Sequence, residues 1–166
     1  MVGRIQATNY LYFTEDELDA RGHNKPLYII IRCQDCTIGK VLVDNSLTLN
    51  VLPKHILDEI LVDPTHMLPS TMTTRVYDGY LRQVVVTIKI KLFINQQAFL
   101  VALQVMDIHL SYNMLLGRLW IHATGAMTSF LHQCLKYIVN GTLVTVKAEE
   151  TLTMVQNMTI PYTEAK

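Results

Sequence analysis

Asp44 closes the run Val41-Leu42-Val43-Asp44-Asn45-Ser46, in which three apolar residues deliver one carboxylate into a small polar loop. Carboxylates do acid–base chemistry best in pairs. Two of them a hydrogen bond apart cannot both ionise, so they share one proton and divide into an acid and a base. The base withdraws a proton from a bound water, which attacks a carbonyl carbon, and the acid protonates the oxygen on which negative charge develops. This chemistry needs neither a metal nor a covalent intermediate. Asp63, Asp78 and Asp107 lack an apolar strand running into a small-residue loop, so the chain carries one carboxylate in this setting. A second can come only by two-fold symmetry, with Asp44 facing Asp44′ of another copy. Taken alone, Asp44-Asn45 reads first as an ordinary turn at a strand end, since both residues favour turns through local side-chain hydrogen bonds.

The elements that must position Asp44 are mostly strands. Leu27 to Ile31 and Ile38 to Val43 are β-branched and apolar, with a short polar turn between them. Pro53 opens a brief helix, because proline suits the first helical turn and Ile56, Leu57, Ile60 and Leu61 fall on one face at the 3.6 period. Asp78-Gly79, between Thr71–Tyr77 and Tyr80–Val86, is a hairpin signal, since a type I′ turn needs positive φ at both centres. Ile88, Ile90, Leu92 and Ile94 alternate with Lys89, Lys91 and Phe93, which predicts one buried face. Ala98 to Val105 is the return strand. A short helix follows Gly117, and Tyr137–Val139 and Thr142–Val146 pair across Asn140-Gly141. The expected organisation is a linker or lead-in over residues 1–24, one domain over 25–147 and a C-terminal linker over 148–166. The expected fold is a mostly β, closed barrel with one or two short helices.

Composition narrows the function classes. A chain of 166 residues, half of them apolar and 17% charged, is long enough for one well-buried core. Lys+Arg and Asp+Glu both number 14, without the basic excess of a nucleic-acid module. No apolar run approaches 18 residues, so no membrane span is predicted. The N-terminus lacks an apolar signal core, which makes a cytoplasmic protein the default expectation. Cys33 and Cys36 form C-x-x-C, the half of a zinc site or a redox pair, but no second pair completes it and Cys134 is remote. The simpler reading is two thiols flanking a turn at Gln34-Asp35. His109, His122 and His132 are spaced too irregularly for a metal site, so neither metal nor cofactor is expected. The eight methionines read as core filler and Trp120 as packing. Asn140-Gly141-Thr142 and Asn157-Met158-Thr159 match glycosylation sequons but carry little without a secretory signal.

A wider set of blocks is more specific. These are His23-Asn24-Lys25-Pro26-Leu27-Tyr28, Val41-Leu42-Val43-Asp44-Asn45, Leu49-Asn50-Val51-Leu52-Pro53 and Val76-Tyr77-Asp78-Gly79. Further along come Phe99 with Gln104-Val105-Met106-Asp107, Leu115-Leu116-Gly117-Arg118, Trp120-Ile121-His122 and Leu131-His132-Gln133. Together, in collinear order over roughly residues 10 to 150, they resemble the protease region of plant gypsy-type LTR retrotransposon polyproteins. The resemblance implies a retropepsin-like aspartic protease that acts as a homodimer on a Gag-Pol type polyprotein. It implies Asp44 as the catalytic aspartate, with Asn45 and Ser46 in the active-site loop. Tyr77, Asp78 and Gly79 would form the flap over the substrate, and Leu115, Leu116 and Gly117 the loop under the active site.

The chain departs from that pattern at the site itself. The family loop reads Asp-Asn-Gly-Ser-Ser, whereas Ser46 stands at the glycine and Leu47 at a small polar position; Leu119 replaces a proline. If the loop needs a backbone conformation that only glycine adopts, Ser46 must strain it or displace Asp44. The alternative to an active endopeptidase is therefore a decayed copy that serves as a dimerising or peptide-binding module or survives as a transposon relic.

Overall fold

The computed structural model describes residues 25–60, 67–69, 73–75, 81–149 and 159–161. A hairpin opens the barrel, β1 (Leu27–Cys33) against β2 (Cys36–Val43), across the two-residue turn Gln34-Asp35. There follow β3 (Val51–Pro53) and helix α1 (Lys54–Glu59), with Pro53 at the N-cap and Ile56 and Leu57 buried. Two short strands, β4 (Met67–Pro69) and β5 (Thr73–Arg75), both pair antiparallel with the long β6 (Leu81–Ile94). The expected hairpin is thus present in its flanks, while its turn at Tyr77, Asp78 and Gly79 lies outside the described residues. β7 (Gln97–Met106) returns along β6 over ten register pairs. Then come β8 (Met114–Leu116) and helix α2 (Arg118–Thr124).

The neighbours run β1-β2-β8-β3-β7-β6, and β6 returns to β1 through Arg32↔Phe93 and Cys33↔Leu92, so six strands close a barrel. Two of its joints, β2–β8 and β3–β7, are parallel. Closure leaves those six strands few open edges. A second sheet of β9 (Met127–Ser129), β10 (Cys134–Val139) and β11 (Thr142–Lys147) packs beside the barrel. Asn140 and Gly141 turn between β10 and β11 with φ of 51° and 77°, as the sequence predicts for that pair.

Ile88, Ile90, Leu92 and Ile94 all point inward and are buried, whereas Lys89 and Lys91 are exposed, so the period-2 pattern reports the barrel's inside and outside. Val41-Leu42-Val43 breaks that alternation because both of its faces are covered. Val41 and Val43 join the main core with Met114 and Leu116, while Leu42 joins a second cluster with Val51, Met106, Ile108, Tyr112 and Leu115. A strand buried on both sides reads as continuous apolar sequence. Tyr137 anchors the second sheet to the barrel: its ring meets Phe99 edge-on at 5.5 Å, its hydroxyl donates to the Ile94 carbonyl at 3.2 Å, and Phe99 in turn meets Trp120 at 5.7 Å.

Within the stretch 148–166, expected as a linker, the described residues are 148, 149 and 159–161, and these meet the barrel. Glu149 is buried, and β12 (Thr159–Pro161) pairs with Cys36–Ile38 of β2. The physical reason is an open edge. β8 covers β2 only at Val41–Val43, which leaves the earlier backbone groups of β2 to find another strand. The lead-in over residues 1–24 lies outside the described residues. Among the described residues, no helix is long and apolar enough to cross a membrane.

Candidate active site

Asp44 follows the last residue of β2, and Gly117 follows the last residue of β8, the parallel neighbour. The Asp44 N–H donates to the Leu116 carbonyl at 3.2 Å, extending the β2–β8 ladder by one bond into the loop. The structure thus brings Asp44, Asn45 and Ser46 together with Leu115, Leu116 and Gly117, as the resemblance implies for both loops. The flap residues Tyr77, Asp78 and Gly79 are outside the described residues.

Asp44 is half-buried, and its loop turns back on its own side chain. The Ser46 N–H donates to Asp44 Oδ1 at 2.9 Å and the Ser46 hydroxyl donates to the same oxygen at 2.7 Å. Leu47 N–H reaches the Asp44 carbonyl at 3.4 Å. Such side-chain-to-backbone closure is how aspartate and serine make turns, and here it also aims the carboxylate. Among the described residues, the donors to the side chain converge on Oδ1, and Oδ2 is left without one.

The strain expected at Ser46 is not present. Positive φ among the described non-glycine residues occurs at Gln34, Lys40, Asn95, Gln96, Gln133 and Asn140, and Ser46 is not one of them. A serine at ordinary φ can present both its N–H and its hydroxyl to Oδ1, so the loop does not depend on a glycine-only conformation. Leu47 is also accommodated: it is half-buried against the cluster around Leu42, Val51 and Leu115.

The loop is held from below. Arg118 N–H donates to the Leu47 carbonyl at 2.7 Å and Leu119 N–H to the Thr48 carbonyl at 3.0 Å, so the first turn of α2 ties down the residues after Ser46. Arg118 Nη2 adds a weaker bond to Thr48 Oγ1 at 3.4 Å. Gly117 is required by space. A Cβ there would stand 2.7 Å from the Leu47 carbonyl oxygen and nearer still to that of Leu49, both backbone atoms. Its φ of −94° is open to any residue.

Asn50 completes the support and was not singled out from sequence. It is 4% exposed; its Oδ1 accepts the Gly117 N–H at 2.9 Å, and its Nδ2 donates to the Ala102 carbonyl at 3.2 Å. One side-chain amide therefore bridges the glycine loop to β7. The sequence signals are its place in the block Leu49-Asn50-Val51-Leu52-Pro53 and a polar residue inside that apolar run, since a buried amide must be bonded to be tolerated.

The remaining candidates lie elsewhere. Cys33 and Cys36 are cross-strand partners beside the first turn. Burial, with the Cys36 thiol adding to it, pushes Cys33 up to about 12; burial, then Asp35 and Glu59, raises Cys36. Both are thus held as thiols, the unreactive form. His55 stacks on His109 at 5.3 Å, and the Ser129 hydroxyl pairs with His132 Nδ1 at 2.6 Å. Among the described residues, no three His, Cys, Asp or Glu side chains gather as a metal site would need.

No family model matches this sequence, and no curated protein matches it. Solved structures share its fold. The retroviral protease-like domain of Ddi1 from Leishmania major aligns with a TM-score of 0.60 at 13% identity, over 76% of this chain and 95% of that one. The EIAV protease complexed with the inhibitor HBY-793 aligns with a TM-score of 0.54 at 15% identity, over 66% of this chain and 98% of that one. Likeness at such identities concerns the fold alone. This chain has a retropepsin-like fold, shared with those two structures.

Proposed function

We propose that this chain is a homodimeric aspartic endopeptidase of the retropepsin kind, with Asp44 and Asp44′ as its dyad. The observation that carries the reading is the Asp44 carboxylate, held at the end of β2 by two donors from Ser46 on a single oxygen. The other oxygen is left for a partner carboxyl and a water. In the symmetric pair one carboxyl keeps the shared proton. The ionised one takes a proton from water, which attacks the scissile carbonyl, while the acid protonates the carbonyl oxygen. Gly117, Asn50 and the α2 amides fix the loop so that the two carboxyls can meet at hydrogen-bond distance. The hairpin tip at Tyr77, Asp78 and Gly79 is the proposed flap. A Gag-Pol type polyprotein is the proposed substrate on the strength of the sequence resemblance to plant gypsy-type retrotransposon proteases.

The test is cleavage of Gag-derived peptides by the purified chain and by Asp44→Asn across a range of concentrations. Cleavage should rise with dimer concentration and fall by about 10²–10⁴-fold in Asp44→Asn. Undiminished cleavage by Asp44→Asn would refute the dyad. The second reading, a dimerising or peptide-binding module without peptidase activity, is favoured by one feature. Ser46, at the position where the family loop has glycine, is exposed two residues after Asp44, and its Cβ and hydroxyl add bulk that a partner's loop would have to accommodate in a dimer. Stable dimers that bind peptide and never cut it would select that reading.

A further inference from the structure

The β1–β2 hairpin slips register in its middle: Ile29 faces Val41, but Ile31 faces Ile38, so Gly39 and Lys40 together oppose the single residue Ile30. This is a β-bulge, with Lys40 at a φ of 57°. A bulge detaches backbone groups from the ladder, and buried ones must be bonded by something else. Two residues distant in sequence do this, Glu149 through its carboxyl and Asn113 through its backbone N–H and its amide. The Lys40 N–H donates to Glu149 Oε1 at 2.7 Å. Asn113 N–H donates to the Lys40 carbonyl at 2.9 Å, and Asn113 Nδ2 to the Gly39 carbonyl at 2.9 Å.

Both side chains belong to segments with a bearing on Asp44. Asn113 immediately precedes β8, whose three residues lie parallel to Val41–Val43. The bulge is thus one end of a short rail, and the Asp44 N–H bond to Leu116 is the other. Glu149 is fastened from behind, because its own N–H donates to the Tyr28 carbonyl at 2.7 Å and the Ala148 N–H to the Gln133 carbonyl at 2.9 Å. Glu149 is 9% exposed, and among the described residues its Oε2 has no hydrogen-bond partner. A buried, half-satisfied carboxyl is costly to keep.

We propose that Glu149 is a positioning residue for Asp44: its carboxyl clamps the Gly39–Lys40 bulge and so sets the register in which β2 and β8 deliver Asp44 and Gly117 to the site. The rail is short, about 13 Å from Lys40 to Asp44 at roughly 3.3 Å per residue, and three register pairs cannot absorb a shift at one end. The kinetic consequence rests on the peptidase reading above; the structural one does not.

The experiment compares wild type with Glu149→Ala and Glu149→Gln in the full chain, with two readouts. Amide hydrogen exchange at Lys40, Val43 and Asp44 should quicken at least tenfold in Glu149→Ala and stay near wild type in Glu149→Gln, which keeps an acceptor at Oε1. Exchange at Ile90 and Leu103 should not change in either. Peptide cleavage should lose about 10–100-fold in kcat in Glu149→Ala with KM within threefold, because misplacement of a reacting group by about 1 Å costs that much. Glu149→Gln should restore kcat to within threefold of wild type. Unaltered exchange at Asp44 in Glu149→Ala would overturn the clamp. So would exchange that quickens equally in both variants, or at Ile90 as much as at Asp44. If the wild-type chain does not cut peptide at all, the peptidase reading fails and the exchange pattern alone still decides the clamp. If Glu149→Ala does not fold, Glu149→Asp, one methylene too short to reach Lys40, replaces it with the same expectations.

Discussion

Replacing Gly117 by alanine tests whether the two loops of the site meet as closely as the backbone indicates. The added Cβ would stand 2.7 Å from Leu47 O and closer to Leu49 O. Neither oxygen can swing aside as a side chain would, and Leu47 O is already committed to the Arg118 N–H at 2.7 Å. Overpacking of this kind costs about 1–3 kcal/mol. Backing away from the contact separates Gly117 N–H from Asn50 Oδ1, now 2.9 Å apart. A buried donor and acceptor left unpaired cost about 1–3 kcal/mol more. The sum is roughly 2–6 kcal/mol, and at roughly 2–4 °C per kcal/mol for a chain of this length the midpoint should fall by about 4–24 °C. Because the φ of −94° suits alanine, the loss is attributable to space alone. Differential scanning calorimetry of the two chains at one concentration measures it. A fall of less than about 2 °C would show that the loop beneath Asp44 has slack, and the argument for a tightly fixed carboxylate would fail with it.

Three further outcomes concern Ser46, Glu149 and Cys33. Ser46→Gly removes the Cβ and one of the two donors to Asp44 Oδ1 from an exposed, unstrained loop. It should therefore change stability by less than about 0.5 kcal/mol and peptide cleavage by less than tenfold; a larger gain in a matched-dimer assay would mean that Ser46 obstructs pairing. Glu149 is held above its ordinary 4.5 by burial, against the opposing Lys40 amide bond and charge. Its contribution to stability is thus full below about pH 4.5 and is lost as pH rises through the higher folded-state value. Wild type should lose stability relative to Glu149→Gln in denaturant melts run from about pH 4.5 to about pH 8, and a parallel pH dependence would show that Glu149 does not titrate between the folded and unfolded states. Cys33, pushed up to about 12, carries a thiolate fraction on the order of 10⁻⁴ at about pH 8. Iodoacetamide followed by peptide mass mapping should label the half-buried Cys36 well before Cys33, and equal labelling would contradict the buried-thiol picture.

Local pattern determined much of this protein. The alternation of Ile88, Ile90, Leu92 and Ile94 with Lys89 and Lys91 specified a strand and its buried face, because side chains on a strand point to opposite sides by geometry alone. Asn140-Gly141 specified its turn, since few residue pairs tolerate positive φ twice in succession. The apolar run into Asp44 and the pair before Gly117 marked both halves of the candidate site. What the sequence could not disclose were interactions whose two partners become neighbours only when the barrel closes. Asn50 meets Gly117 across 67 positions, Asn113 meets Gly39 across 74, and Glu149 meets Lys40 across 109. A polar residue in an apolar run announces that it needs a partner, but which backbone group becomes that partner depends on strand order and register. The backbone at Ser46 was decided in the same way: residue type alone suggested a strained loop, and only the folded chain shows ordinary φ there with two donors converging on one carboxylate oxygen.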